Sequence, residues 1–276
     1  MTESHAAAGR AVNEHYGRPG LGDAILAALR ASGLDPDALA PEDLGPLDHV
    51  HHGGLPATLA LLRLAALPRR GRVLDVGGGI GGPARTLARA LDCHVTVLDL
   101  TEEFCRVGAD LTRRTGLDDR VVFRHGSALA MPFPEADFDA AWMQNVAMNI
   151  ADKGRLFAEI ARVLRPGGRL AMQDHVAGPV QPPHYPVPWA QDATLSFLVP
   201  AEAERALLAA AGLRVVAWQE AAIDPARRGP QALPSLQLLL WGELWPHIVA
   251  NMGRNMAEGR IGTIWAVTER PVPADG

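Results

Sequence analysis

The fold of this chain is decided by residues 73–83, which read Val73-Leu74-Asp75-Val76-Gly77-Gly78-Gly79-Ile80-Gly81-Gly82-Pro83. An apolar run, an acid, a glycine loop and a proline in this order predict a strand that ends in a tight loop and leads into a helix. Glycine lets a backbone approach a ligand where a Cβ would collide, and proline suits the first position of a helix. The free N–H groups and the positive dipole end of that helix favour a polar ligand. We therefore expect this loop to hold a small polar ligand against the edge of a sheet.

Two acids near this loop narrow the choice of ligand. Taken literally, Gly77, Gly79 and Gly82 fit the dinucleotide fingerprint G-x-G-x-x-G, but Asp75 would repel an approaching pyrophosphate. A ligand with an ammonium or sulfonium group suits Asp75 better. Asp99 ends the next predicted strand, where a carboxylate can hold both hydroxyls of a ribose by charge-assisted hydrogen bonds. Asp99 would serve NAD and adenosyl ligands equally, so the pattern predicts a nucleoside, and Asp75 favours one that carries a cation.

Further motifs follow in the order of one known family. Residues 126–133 read Gly-Ser-Ala-Leu-Ala-Met-Pro-Phe, residues 138–143 read Phe-Asp-Ala-Ala-Trp-Met, and residues 161–170 read Ala-Arg-Val-Leu-Arg-Pro-Gly-Gly-Arg-Leu. Together with residues 73–81 and Asp99, they resemble the core of a class I S-adenosylmethionine-dependent methyltransferase. The resemblance implies an α/β fold, namely a Rossmann-like, seven-stranded, mostly parallel sheet with a final antiparallel strand and a helical lid or cap. It also implies S-adenosylmethionine as the cofactor and S-adenosylhomocysteine as its product.

The resemblance assigns cofactor contacts to nine residues at or beside the predicted strand ends. They are Asp75, Gly77, Gly78, Gly79, Asp99, Leu100, Ser127, Ala128 and Gln144. At Ser127 the chain departs from the family, which usually has an aspartate there to accept a hydrogen bond from the adenine amino group. A hydroxyl accepts that bond more weakly than a carboxylate, so we expect weaker recognition of adenine.

Composition and charge exclude several classes of protein. The 276 residues suffice for one Rossmann-like domain with a cap, and the net charge of −5 with no basic run argues against a nucleic-acid substrate. Residues 1–10 lack the apolar core of a secretion signal, and Glu243 and Pro246 interrupt the most apolar late segment, so we expect neither export nor a membrane span. The two cysteines predict no disulfide framework. We expect a cytoplasmic monomer or homodimer.

The order of patterns along the chain predicts an N-terminal helical lid over residues 1–70 and a Rossmann-like domain over residues 71–276. Cap segments are expected at about 176–200 and 230–260, the first of them rich in proline. Strands are predicted near 72–76, 94–99, 120–125, 138–143, 169–175, 213–219 and 262–268. Helices are predicted near 21–31, 56–67, 83–91, 102–115, 152–165, 200–211 and 233–258. By resemblance, an acceptor pocket would lie between residues 45–60, 145–150, 175–200 and 235–255.

The candidate catalytic residues are three histidines, His51, His52 and His175. Methyl transfer is an in-line displacement at an activated carbon, so alignment and exclusion of water contribute most, and a base is needed only if the acceptor must lose a proton. His51 and His52 would orient the acceptor, or else form a polar turn hinged at Gly53. His175 would be a base or an acceptor anchor, or else part of a satisfied strand end. Three histidines within residues 49–52 lack a second group at ligand spacing, so no metal site is predicted.

The leading hypothesis is transfer of a methyl group from S-adenosylmethionine to the nitrogen, oxygen or carbon of a small-molecule acceptor. Resemblance to the sarcosine/dimethylglycine, tocopherol and ubiquinone types of methyltransferase favours an amine or amino-acid-like acceptor. One alternative is an NAD-dependent oxidoreductase, which Asp75 disfavours. The other is a noncatalytic protein that binds S-adenosylmethionine; the intact Asp75, Gly77, Gly79 and Asp99 argue against a decayed site.

Overall fold

A seven-stranded sheet forms the centre of the computed structural model, which describes residues 3–220 and 235–273. Its strands are β1 (Arg72–Val76), β2 (His94–Asp99), β3 (Val121–His125), β4 (Phe138–Gln144), β5 (Leu164–Ala177), β6 (Arg214–Glu220) and β7 (Ile261–Glu269). They lie in the order β3-β2-β1-β4-β5-β7-β6. β1 pairs in parallel with β2 and β4, β2 with β3 and β4 with β5, whereas β7 is antiparallel to both β5 and β6. The predicted mostly parallel sheet with a final antiparallel strand is confirmed.

Helices cover both faces of the sheet and the end at which the glycine loop lies. They are α1 (Glu3–Tyr16), α2 (Leu21–Ala31), α3 (Gly45–Asp48), α4 (Gly54–Ala65), α5 (Gly82–Leu91), α6 (Glu102–Arg114), α7 (Lys153–Val163), α8 (Ala201–Ala210), α9 (Leu236–Trp241) and α10 (Trp245–Ala257). As predicted, the glycine loop leads into a helix whose first turn contains Pro83. Within residues 3–220 and 235–273, no helix combines the length and the hydropathy that crossing a bilayer requires.

The central strands are apolar on both faces, as expected where helices cover a parallel sheet on two sides. On one face, Leu74, Met143 and Met172 pack with apolar residues of α7 and α8. On the other face, Val73 and Trp142 pack with apolar residues of α4 and α5. The sheet order changes direction between β1 and β4, and ligands of such sheets bind outside the carboxyl ends of the strands at this point.

Three of the predicted boundaries need correction. α4 begins at Gly54 rather than Pro56, because Gly53 before it adopts a φ of 88° that starts the helix earlier. The helix predicted to end at 165 ends at Val163, and Leu164 already pairs with Phe138 in the sheet. In the helical block predicted for 233–258, residues 233 and 234 lie outside the described chain. The remainder divides into α9 and α10, because Gly242 adopts a φ of 50° between them.

The N-terminal segment packs on the sheet domain through its own apolar cluster. Leu21, Ile25 and Leu29 of α2 are fully buried, together with Leu44 and Leu47. These side chains contact Ile80 beside the glycine loop, Phe104 of α6 and Leu236 of α9. Burying such side chains contributes about 1.5–3 kcal/mol each, so this packing holds the predicted lid against the end of the sheet.

Candidate active site

A cavity of about 1150 Å³ lies at the carboxyl ends of the central strands. It exceeds the roughly 300–1,000 Å³ that is typical of a pocket for one ligand, so it has room for two. All twelve residues that the sequence predicted for the site line it, namely His51, His52, Asp75, Gly77, Gly78, Gly79, Asp99, Leu100, Ser127, Ala128, Gln144 and His175. The four segments predicted to surround an acceptor each contribute lining residues.

The glycine loop passes so close to other parts of the chain that side chains would not fit. A Cβ at Gly78 would lie 2.5 Å from Asp75 Oδ2 and 2.9 Å from Val97 Cγ1. Gly77 has a φ of 65°, and a Cβ there would lie 2.6 Å from Val146 Cγ2. Both glycines are therefore needed to let the loop pass the end of β1 and form the wall of the cavity.

Asp75 is buried at the end of β1 with one carboxyl oxygen lacking a partner. The residue is 1% exposed, and Oδ2 accepts no hydrogen bond from the described residues. Burial, and secondarily the neighbouring Asp99 carboxylate, raise the pKa of Asp75 to about 8. A cation placed beside this group would favour its ionised form, because opposite charges at short range stabilise each other.

Asp99 is held in a fixed orientation by two backbone groups. Its Oδ2 accepts a hydrogen bond from Gly79 N at 2.9 Å, and its Oδ1 accepts one from Thr101 N at 2.8 Å. Burial raises the pKa of Asp99, and these two N–H groups act in the opposite direction. Each carboxylate oxygen keeps further acceptor capacity for a ligand. Leu100, Ser127 and Ala128 line the cavity beyond this acid.

The turn before α4 is hydrogen-bonded to the ends of β4 and β5 by buried side chains. Gln144 Oε1 accepts from Trp142 Nε1 at 2.9 Å and from the hydroxyl of Thr58 at 3.0 Å. Gln144 Nε2 donates to Gln173 Oε1 at 2.8 Å and lies 3.3 Å from His51 Nδ1. Every polar atom of the Gln144 side chain thus has a partner within the protein.

His51 also has partners for both ring nitrogens. Its Nε2 lies 2.9 Å from Thr58 Oγ1, and its Nδ1 lies 3.3 Å from Gln144 Nε2 and 3.3 Å from the carbonyl oxygen of His52. Burial, and secondarily His49, lower the pKa of His51 to about 3. The ring is therefore neutral at physiological pH and is a poor candidate for a group that takes up a proton.

His52 and His175 approach each other on the side of the cavity away from Asp99. Their ring centroids are 5.6 Å apart and their planes are nearly perpendicular. His175 also stacks on Trp189 at 4.9 Å, and its Nδ1 lies 3.1 Å from Thr263 Oγ1. Burial, and secondarily His52, lower the pKa of His175 to about 3. His175 can orient a ligand as a neutral ring, but it holds no proton at neutral pH that it could release as an imidazolium.

The rest of the cavity wall is largely apolar and aromatic. Trp241 and Trp245 stack on each other with centroids 5.6 Å apart. Four further elements complete this wall: α1, the 3₁₀ turn after β4, the proline-rich segment and α10. Their apolar and aromatic lining residues are, in that order, Val12 and Tyr16, Met148, Trp189, and Val249, Met252 and Met256. Among the described residues that line the cavity there is no lysine or arginine, whereas four are aspartates, Asp48, Asp75, Asp99 and Asp152, of which Asp48 is paired with Arg85. The described residues also contain no cluster suited to a metal ion.

Sequence reasoning did not find Thr58 and Gln173, the two fully buried residues that complete these hydrogen bonds. Gln173 had a detectable signal, because aligning β4 with β5 in parallel pairs it with Gln144 at the strand ends. Thr58 had none, since within α4 it reads as one more position between alanine and leucine residues.

Residues 74–172 match the family described as a methyltransferase domain. This segment is a methyltransferase domain. It begins within β1, contains the glycine loop, Asp99 and Gln144, and ends within β5. The five motifs noted above all lie in it or overlap its ends.

Two curated methyltransferases are similar to part of this chain. The 27-O-demethylrifamycin SV methyltransferase of Amycolatopsis mediterranei is 37% identical over 144 residues, which cover 48% of this chain and 53% of that protein. The glycine/sarcosine/dimethylglycine N-methyltransferase of Actinopolyspora halophila is 38% identical over 106 residues, which cover 38% of this chain and 19% of that protein. The chain thus spans about half the length of the first relative and a fifth of the second.

Solved structures resemble the chain over most of its length. A geranyl diphosphate methyltransferase in complex with GPP and sinefungin has a TM-score of 0.71 and 17% identity, covering 96% of this chain and 99% of that one. The [4+2]-cyclase SpnF has a TM-score of 0.64 and 23% identity, covering 90% and 93%. Because these likenesses cover 90% or more of this chain, the shared fold extends beyond residues 74–172.

Proposed function

We propose that the protein transfers a methyl group from S-adenosylmethionine to a small-molecule acceptor by in-line displacement. The observation that carries this proposal is the large cavity in which a glycine loop and two buried acids face an apolar, aromatic wall. A cofactor and an acceptor can share such a cavity with water excluded, which is the main requirement of the reaction. The matched relatives are named for methyl transfer, to a rifamycin in one case and to glycine and its derivatives in the other.

The residues around the glycine loop fit S-adenosylmethionine. Asp75 has an unpartnered oxygen and a pKa raised to about 8 by burial and by Asp99, so a nearby ammonium or sulfonium group would stabilise its carboxylate. Asp99 would accept hydrogen bonds from the ribose hydroxyls, and Leu100, Ser127 and Ala128 would contact the adenine. The bound cofactor supplies a methyl carbon activated by its sulfonium.

Gln144 has its amide fully engaged within the protein, so we assign it a structural role rather than the cofactor contact expected from the motif.

The histidines would orient the acceptor rather than store protons. The pKa of His175 is lowered to about 3 by burial and by His52, and that of His51 by burial and by His49. Neutral rings of this kind can accept one hydrogen bond from an acceptor hydroxyl or amine, but they are weak bases. His175 and His52 line the cavity and would contact the acceptor, whereas His51 acts through its neighbours. The reaction then depends on alignment of the two reactants in a dry site.

The chemistry of the wall favours an uncharged and largely apolar acceptor. The lining that the structure describes offers tryptophans and methionines but no lysine or arginine, so a phosphate or carboxylate on the acceptor would meet no permanent positive charge there. The sequence favoured an amine or amino-acid-like acceptor, and this proposal departs from the amino-acid-like one, which carries a carboxylate.

The test combines cofactor binding with an acceptor panel. S-adenosylhomocysteine should raise the melting temperature and NAD should not, because only a ligand that binds the native state stabilises it. Asp99→Ala should weaken S-adenosylhomocysteine binding by about 2–4 kcal/mol through loss of charge-assisted hydrogen bonds, measured by calorimetry. The exposed Asp119→Ala serves as the matched control.

The acceptor panel then shows which class of compound is methylated. Mass spectrometry detects each methylated product by a 14 Da increase in the mass of the acceptor, the mass of one CH₂ unit. Neutral polycyclic, prenylated and polyketide-like compounds should be methylated in preference to glycine, sarcosine or phosphorylated compounds. Stabilisation by NAD with none by S-adenosylhomocysteine would overturn the cofactor assignment. Binding of S-adenosylmethionine with no methylation of any panel member would favour the noncatalytic alternative.

A further inference from the structure

The donor and acceptor of each buried hydrogen bond around Gln144 can be assigned, because some of the partners can only donate and others can only accept. The indole Trp142 N–H can only donate, so the Gln144 atom 2.9 Å from it is the amide oxygen. The carbonyl of His52 can only accept, so the Gln173 atom 2.7 Å from it is the amide nitrogen. Gln144 Nε2 must then donate to Gln173 Oε1. Both amides are thereby oriented without reference to the histidine.

The orientation of Gln144 decides the tautomer of His51. Thr58 has one hydroxyl hydrogen, and donating it to Gln144 Oε1 leaves only its lone pairs for His51 Nε2. Nε2 must therefore carry the ring proton, and Nδ1 accepts from Gln144 Nε2. The opposite tautomer would gain a contact from Nδ1 to the His52 carbonyl at 3.3 Å. It would lose the Thr58–Gln144 hydrogen bond, and it would place the Nδ1–H of His51 against the Nε2–H of Gln144. The Nδ1–H tautomer therefore leaves more buried polar groups without a hydrogen bond.

From this chain of hydrogen bonds we infer that Thr58, Gln144 and Gln173 are positioning residues that latch the turn before α4 to the ends of β4 and β5. The latch locks His51 as the neutral Nε2–H tautomer and holds the backbone of His52 through its carbonyl. It thereby fixes the His52 ring against His175, 5.6 Å away, on the acceptor side of the cavity. This role rests on the proposed function, since the two imidazoles matter only if an acceptor binds there.

Because the latch residues are buried, a substitution there should affect the acceptor side of the cavity without touching the ligand. Thr58, Trp142 and Gln173 are fully buried, and none of the three lines the cavity. A change at Thr58 or Gln173 therefore removes no direct contact with a ligand and acts through Gln144 and the two histidines. Leaving buried partners unpaired has a large effect, because the desolvation penalty of each group is no longer offset.

The latch can be tested on the free protein by long-range proton–nitrogen NMR of the histidine rings, with His51→Gln to assign the signals. In the parent protein, His51 should give the Nε2–H tautomer and should not titrate between pH 8 and pH 5. Thr58→Val should convert the His51 signals to a tautomer mixture and shift the ring signals of His52 and His175. Thr58→Ser, which keeps the hydroxyl, should restore the parent spectrum. Thr115→Val is the matched control, because the Thr115 hydroxyl donates to the carbonyl of Thr112 at 2.9 Å, outside the latch.

Binding and turnover complete the test. Thr58→Val and Gln173→Met should bind S-adenosylhomocysteine within about twofold of the parent, while kcat/KM for the best panel acceptor falls about tenfold, the size expected for one lost buried hydrogen bond. An Nδ1–H or titrating His51 in the parent would overturn the latch even if no variant folds. So would a Thr58→Val spectrum identical to the parent's. Because the NMR measurement needs neither cofactor nor acceptor, failure of the proposed methyl transfer would leave its result intact.

Discussion

Asp75 is almost completely buried and lies beside a second carboxylate, that of Asp99. Because both features raise its pKa, we expect the affinity for the cofactor to depend on pH. Its pKa is raised to about 8 by burial and by Asp99, so in the free protein it is mostly protonated below that pH. Pairing with a cationic cofactor requires the carboxylate, and a proton must then be released. We expect the Kd for S-adenosylmethionine to fall as pH rises from 6 to 7.5, approaching tenfold per pH unit at most, measured by calorimetry.

The comparison with Asp75→Asn isolates this group from others that titrate nearby, of which Asp99 is the nearest. The asparagine variant should bind more weakly at pH 7.5 and should lose the steep dependence on pH. Asp119→Asn, on the exposed surface, should follow the parent curve. Parallel curves for the parent and Asp75→Asn would show that Asp75 does not exchange its proton when the cofactor binds.

At the scale of elements, the junction of β1 with the glycine loop depends on the absence of one side chain. A Cβ at Gly78 would lie 2.5 Å from Asp75 Oδ2 and 2.9 Å from Val97 Cγ1, so even alanine must displace the acid or the strand. We expect Gly78→Ala to lower the free energy of unfolding by about 1–3 kcal/mol, as overpacking does, and to weaken S-adenosylhomocysteine binding. Urea unfolding and calorimetry measure the two effects.

Gly253 provides the matched control for this element. It lies within α10, and a Cβ there would meet nothing within 4 Å. Gly253→Ala should raise the free energy of unfolding by about 1 kcal/mol, because alanine has the higher helix propensity. Equal unfolding midpoints for the two alanine variants would contradict the close contact between Gly78 and Asp75. The sequence predicts that side chains in the glycine loop would collide with the ligand, whereas in the structure a Cβ at Gly78 would already collide with Asp75 and Val97.

Across the whole molecule, the sequence predicted best what depends on local pattern. The strand–loop–helix unit at residues 72–91 and the acids at strand ends follow from apolar runs, glycines and proline, and the parallel sheet then brings them to one edge. The hydrogen-bond partners of His51 and Gln144 could not be predicted in this way. Thr58 and Gln144 are 86 residues apart, and their contact exists only because α4 packs across the sheet. Side-chain roles that depend on such packing require the structure.

The same packing bears on whether residues 1–70 form a separate lid. We propose that they do not fold independently of the sheet domain. Asp48 in α3 pairs with Arg85 in α5 at 2.9 Å, with both side chains about 1% exposed. Arg85 also donates to the carbonyl of Ile80 beside the glycine loop. Because breaking a buried ion pair leaves a charge without compensation, Asp48→Ala should lower the free energy of unfolding by about 3–5 kcal/mol.

Urea unfolding followed by circular dichroism, with hydrogen exchange of the N-terminal helices and the sheet, tests this coupling. Both regions should lose protection together in Asp48→Ala if they unfold as one unit. Replacing the pair by apolar side chains, Asp48→Leu with Arg85→Met, should recover much of the stability, since well-packed apolar groups can substitute for a buried ion pair. Glu103→Ala, which removes a surface pair with Arg106, should change little. If α2 lost protection in Asp48→Ala while β1 and β4 kept theirs, the N-terminal segment would be an independent lid, and the cavity would lose only its cover.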